Sequence, residues 1–264
     1  MKAIVFLLML CASAVSAQSV WTMRGDNSTV EVEYLYPLIL SQAYPSSVDI
    51  ITLSSRIRVG DIASIIIEIP WISGPAPLIS GQSNSSNHQS WIGNPYIGTE
   101  IGSSNSMLMG EIGFRLPLMS EDAASSAIAG ISADFARFEA YTPQVFQVCG
   151  AANLRPELGG GFSSRLRFGP AFDISTREGG GSETLLEYCA LMVYESEIFD
   201  AGAGVVGRAS ITANSSNSSI EQLECLARLH IDNVHPALQL RTPLDESLRK
   251  VYDFEFGINL ALEF

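Results

Sequence analysis

Charged residues in this chain recur at every second position in short runs, and rows of carboxylate stand next to rows of guanidinium. Glu31 and Glu33 are followed by Arg56 and Arg58, then by Glu68 and Glu100. Glu111 and Arg115 share one run, and Arg155, Arg165 and Arg167 follow. Glu187, Arg208, Glu224, Arg228, His230, Arg241, Asp253 and Glu255 complete the series. In an extended strand every second side chain points to the same face, so each row belongs to one surface. The chemistry open to such rows is electrostatic. They can pair across neighbouring strands, or they can select a passing solute by its charge.

Bond-making chemistry has little footing. There is no Gly-x-Ser-x-Gly turn and no His-Glu-x-x-His helix. His88, His230 and His235 are the three histidines, and the serines around His88 belong to a low-complexity loop. Cys149, Cys189 and Cys225 remain once Cys11 is set aside as part of a leader. Three cysteines without a Cys-x-x-Cys spacing point neither to a disulfide scaffold nor to zinc. The expectation is a protein that is not an enzyme, with no catalytic residue, metal or cofactor.

The elements that must hold these rows are strands. Alternating runs occupy 29–38, 48–59, 63–73, 93–102, 107–118, 145–155, 164–174, 184–195, 200–213, 221–232, 236–243 and 250–264, about twelve in all. Connections around 60–62, 103–106, 157–163, 196–199 and 233–235 are short, and those around 74–92 and 119–144 are long. The others are intermediate, so long and short roughly alternate along the chain. A barrel with tight turns on one rim and long loops on the other has this pattern. Residues 121–141 carry Ile128, Ile131, Phe135 and Phe138 at helical spacing, with Ser120 able to cap the start. That helix either covers the barrel mouth or plugs the lumen.

The last run is the most amphipathic. Tyr252, Phe254, Phe256, Ile258, Leu260, Leu262 and Phe264 alternate with Asp253, Glu255, Gly257, Asn259, Ala261 and Glu263. Such a strand suits the closing stave of a membrane barrel, with Tyr252, Phe254, Phe256 and Phe264 as the signal read by a barrel-assembly machinery. The expected fold class is all-β: a transmembrane antiparallel β-barrel of about twelve strands with a short helical segment in an extracellular loop. Trp71, Trp91, Tyr96, Tyr36 and Tyr194 near strand ends fit aromatic girdles, although strands favour aromatics in any case.

Met1-Lys2, the apolar run 3–14 and Val15-Ser16-Ala17 read as a cleavable signal peptide, 1–17. Residues 18–28 then form an N-terminal periplasmic segment, and 29–264 form the barrel. The chain is 47% hydrophobic and 16% charged, with no later run long enough for a spanning helix. Its net charge of −13 excludes nucleic acid as a partner. Asn27, Asn84, Asn214 and Asn217 begin sequons that in an exported bacterial protein are simply polar loop residues. The expected location is the bacterial outer membrane, with lipid around the barrel.

Gly60-Asp61, the segment Ile92-Gly93-Asn94-Pro95-Tyr96-Ile97-Gly98-Thr99-Glu100 and Phe114-Arg115-Leu116-Pro117-Leu118 carry a family resemblance. A Gly-Asp turn, a Gly-Asn-Pro strand and a strand ending in Leu-Pro before a polar loop resemble outer-membrane transporter-like barrels. Some of these are associated with phenol meta-pathway degradation of aromatic compounds. The resemblance implies passive uptake of small molecules and brings no catalytic or binding residue with it. The charged rows are then lumen or selectivity candidates. The alternative is a non-transporting structural or adhesive barrel, its lumen closed by ion pairs. A secreted β-sandwich and an outer-membrane lipid hydrolase stand further back.

Overall fold

The computed structural model describes residues 27–39, 48–75, 88–103, 106–123, 130, 134–212, 219–250 and 252–264. The expected leader and most of the segment after it lie outside these residues. So do 124–129 and 131–133 of the expected helix.

The chain forms a closed antiparallel barrel of twelve strands. Its walls are β1 (Thr29–Ile39), β2 (Asp49–Val59), β3 (Ala63–Pro75), β5 (Tyr96–Ile101), β6 (Leu108–Arg115) and β7 (Val145–Leu154). They continue through β9 (Phe162–Ser175), β10 (Ser182–Glu195), β11 (Phe199–Ser210), β12 (Ser219–Leu229), β13 (Val234–Pro243) and β14 (Tyr252–Glu263). Two short strands are additional. Strand β4 (His88–Ile92) prolongs the hairpin with β3 beyond the wall, and β8 (Glu157–Gly159) folds back on β9. The seam closes where β1 meets β14, with Glu31 opposite Ala261 and Glu33 opposite Asn259.

The β2–β3, β5–β6, β7–β9, β10–β11 and β12–β13 hairpins turn at one rim, the short-turn rim, which also holds the start of β1 and the end of β14. The opposite ends of the strands define the long-loop rim. Closure explains the exposure pattern. The wall strands turn apolar residues outward, so Val32, Leu53, Ile65, Trp71, Ile112, Phe168, Leu238 and Ile258 belong to a greasy belt. A band of this kind is what a barrel presents to lipid. The polar rows turn inward, where Glu31, Glu33, Arg56, Glu68, Glu100, Glu111 and Arg115 are all buried.

The interior is not uniformly polar. Leu35, Ile50 and Ile72 point inward near the long-loop rim and pack with Met119, Ala140 and Tyr141. Tyr96 lies flat across Gly98 and Gly113 on neighbouring strands, where any Cβ would collide with its ring.

Strand β14 departs from strict alternation. Pro37 pairs with Glu255 but Ile39 pairs with Tyr252, so two steps on β1 match three on β14. This bulge leaves Phe254 outward and flips the phase of Asp253 and Tyr252 before it. Tyr252 therefore points into the lumen with no exposure, while Asp253 is exposed. Both assignments from simple alternation, Asp253 as lumen-lining and Tyr252 as part of the outer aromatic face, are reversed by that extra residue. Phe254, Phe256 and Phe264 are exposed, at 42%, 39% and 68%.

Candidate functional site

The site is the lumen, and its most distinctive occupant comes from the loop between β6 and β7. Within 121–141 the described residues form a 3-10 turn at Glu121–Ala123, an α-helical position at Gly130 and a kinked 3-10 stretch at Phe135–Tyr141. The last of these does not cover the mouth. It enters the barrel, and Asp134, Ala136, Arg137, Glu139, Ala140 and Tyr141 are all buried. Of the two positions open to this segment, it takes the one inside the lumen.

Three charges of this plug pair with the wall. Arg137 meets Glu33 of β1 and Asp134 of its own segment. Asp134 also accepts from Arg241 of β13 at 3.1 Å. On the opposite side Glu139 receives both terminal nitrogens of Arg208 from β11, and Arg208 also reaches Glu187 at 2.9 Å. The Arg208 guanidinium lies 5.3 Å from the ring centres of both Phe135 and Phe138, a favourable cation–π arrangement. Arg137 and Tyr141 lie outside the strands. Burial works against the Arg137 charge, but Asp134 and Glu33 overcome it and hold its pKa well above the usual range. Burial first, and then the charge of Asp134, pushes the Tyr141 phenol up.

The plug is also stapled through backbone. Asn94, fully buried at the bend between β4 and β5, donates from Nδ2 to the carbonyls of Glu139 and Thr142 at 2.8 and 2.7 Å. Its own N–H donates to the Ala140 carbonyl at 2.7 Å, and its Oδ1 accepts from Met119 N–H at 2.8 Å. Gly93 has no Cβ to collide with the Ala140 carbonyl, so the two backbones approach closely. The Gly-Asn-Pro sequence thus forms the socket for the plug.

Around the plug most wall charges are paired, and Asp173 accepts a hydrogen bond from Gln147 Nε2 at 3.0 Å. Arg241 is a hub, bonded to Glu255 at 2.8 Å and to Glu33 and Glu224 at 3.2 Å each. Arg115 holds Glu68, and Arg56 holds Glu100, both at 3.0 Å. Arg167 pairs with Glu111, which also accepts from Tyr96 at 2.7 Å and Asn153 at 3.1 Å. Nearer the short-turn rim, Arg155 and Arg165 converge on Glu195. His230 links Asp200 to His235, and His235 meets Glu263, each contact at 3.0 Å. Buried charges are costly unless paired and hydrogen-bonded, which is why guanidinium and carboxylate occur here in contact. Beside Phe135 and Arg208 lies a cavity of about 20 Å³, the room of one water.

Comparison with solved structures places this architecture. An outer membrane channel from Pseudomonas putida F1 matches with a TM-score of 0.63 at 11% identity, covering 95% of this chain and 100% of that one. The NanC porin matches at 0.55 and 7% identity, and LpxR from Salmonella typhimurium at 0.53 and 11%. Each covers 89% of this chain and 100% of its own. The chain has the fold of outer-membrane β-barrels. At these identities the likeness is one of fold alone. No family model matches the chain, and neither does the sequence of any curated protein.

Of the charged residues expected in the lumen, fourteen are buried inside the barrel: Glu31, Glu33, Arg56, Glu68, Glu100, Glu111, Arg115, Arg165, Arg167, Arg208, Glu224, Arg228, Arg241 and Glu255. Glu187 is there but partly open. Arg58 instead sits at the rim and folds onto its own turn, donating to the carbonyls of Gly60 and Asp61. Alternation alone did not reveal Asp134, Arg137 and Glu139, because they lie in a loop. Their signal was an unusual concentration of charge and aromatic rings in one connection, with Phe135, Phe138 and Tyr141 beside them. Asp173 and Asp200 also face inward, each as a single acidic residue among apolar and small neighbours.

Proposed function

We propose that the protein is a channel of the bacterial outer membrane whose lumen is held shut by its own segment 134–141, and that small molecules pass when this segment withdraws. The observation that carries the reading is how the plug is held. It forms no strand with the wall, but is tethered by ion pairs, cation–π contacts and the Asn94 socket, which can be broken without unravelling a β-ladder. The greasy belt supports insertion in lipid, and the fold shared with channels and porins supports passage. In this reading the leader exports the chain and the β14 strand engages the assembly machinery. The buried charged rows become the selectivity surface once the plug leaves.

The test is planar-bilayer conductance of the purified barrel against a double variant, Asp134→Asn with Glu139→Gln, which loosens the plug on both sides. The expected result is a sparse, flickering current in the parent and a larger, longer-lived one in the variant. Silence from both at every voltage overturns the channel.

That silence would favour the second reading, a non-transporting structural or adhesive barrel. The observation on its side is the largely ion-paired interior, in which the wall charges and the plug hold one another. The phenol-pathway resemblance adds a candidate cargo, small aromatic molecules, which can be tried in the same apparatus.

A further inference from the structure

Beneath the short-turn rim, among the described residues, the pairing of charges breaks down at Arg228. Arg228, the next-to-last residue of β12, is 2% exposed. Its Nε and Nη2 are buried without an acceptor, and among the described residues no carboxylate reaches it. Arg165 lies near enough for the two positive charges to repel one another. Its Nη2 is taken by Glu195, but its Nε is also buried without an acceptor. Glu31 and Asp200 attract Arg228 only from beyond ion-pair distance, and Asp200 is already bonded to His230. A buried guanidinium with empty donors is expensive, so the site calls for an acceptor that the chain does not supply.

The surroundings restrict what that acceptor is. Leu226 precedes Arg228 by two residues on the same inward face, and Leu191 is the register partner of Arg165. Leu191, Val193 and Leu226 form one buried apolar cluster. A planar fork of donors beside aliphatic side chains matches a carboxylate joined to a short apolar body. A fully hydrated phosphate would leave the aliphatic side unused. The rim above is open: the side chains of Arg155 and Glu195 are each 26% exposed. A ligand entering from that side reaches Arg228 without displacing the plug, which is tethered nearer the long-loop rim.

We infer that Arg228 and Arg165 form a binding site for a small amphiphilic carboxylate, entered from the short-turn rim. As an assignment of cargo class this rests on the channel reading, but occupancy of the site does not. The test therefore uses binding and not current. The full-length protein in detergent is heated with sodium butyrate, acetate, phosphate or chloride at equal ionic strength, and the unfolding temperature is read from heat-modifiable gel migration. Butyrate should raise that temperature saturably. Acetate should bind about tenfold more weakly, as expected for two fewer buried methylene groups. Phosphate should do no more than chloride.

Arg228→Gln should abolish the butyrate effect and raise the unfolding temperature of the ligand-free protein, because it removes an unmatched charge. Arg228→Lys, which keeps the charge and loses the fork, should weaken butyrate and leave the barrel folded. Equal shifts from butyrate and chloride would overturn the site, as would an undiminished butyrate shift in both variants. A barrel that binds butyrate yet never conducts would retain the site and sink the channel. One that conducts with no butyrate effect would do the reverse.

Discussion

Arg241 shows what a single buried charge does in this molecule. It is fully buried and touches Glu33, Glu224, Glu255 and Asp134, so it neutralises carboxylates from three strands and the plug. Arg241→Ala would leave that group of carboxylates without its cation, and such breakage costs about 3–5 kcal/mol. Unfolding in urea, followed by heat-modifiable migration, should show a loss of that order. Asp253 provides the contrast, since the bulge in β14 turns it outward. Asp253→Asn should change stability by no more than about 0.5 kcal/mol. A large effect there would mean that β14 alternates without a bulge and that Asp253 faces the lumen.

Among the elements, the wall was far more legible than the plug. Strands such as β2 announce themselves because Ile51, Leu53, Ile57 and Val59 alternate with Thr52, Ser54 and Arg56, and lipid on one side with a polar lumen on the other enforces that period. The bulge was not legible, because one inserted residue leaves composition unchanged and shifts only the phase. Nor was the end of the 121–141 segment: its apolar spacing suggests a helix and Gly130 is helical, but Phe135–Tyr141 is a kinked 3-10 stretch shaped by its contacts with Arg208, Glu33 and Asn94. Tertiary partners overrode local preference there. A prediction at this scale concerns the socket. Gly93→Ala would drive a methyl group into the Ala140 carbonyl and unseat the plug while leaving the wall ladders intact. The expected outcome is faster proteolysis within 119–144 and a higher bilayer conductance, with the barrel's unfolding temperature nearly unchanged.

At the scale of the whole molecule, two solvents act on one sheet. Ile258, at the middle of β14, is outward and 47% exposed, next to the fully interior Asn259. Ile258→Arg should destabilise the barrel in lipid by about 2–4 kcal/mol, the cost of a charge at the bilayer midplane. Measured unfolding in lipid vesicles would reveal it, and a negligible change would argue against a membrane setting. The Arg241 hub has a further consequence for how the barrel closes. Because side chains repeat every two residues, sliding β1 against β14 by two positions keeps every outward residue facing lipid and every inward one facing the lumen. The greasy belt is blind to that error. The slip would nevertheless carry Glu33 roughly 7 Å from Arg241, at about 3.4 Å per residue, and would bring Glu31 or Leu35 in its place. The ion pairs that fill the lumen therefore act as a proofreader of closure: they recognise the one alignment of first and last strands that the hydrophobic pattern cannot distinguish from its neighbours.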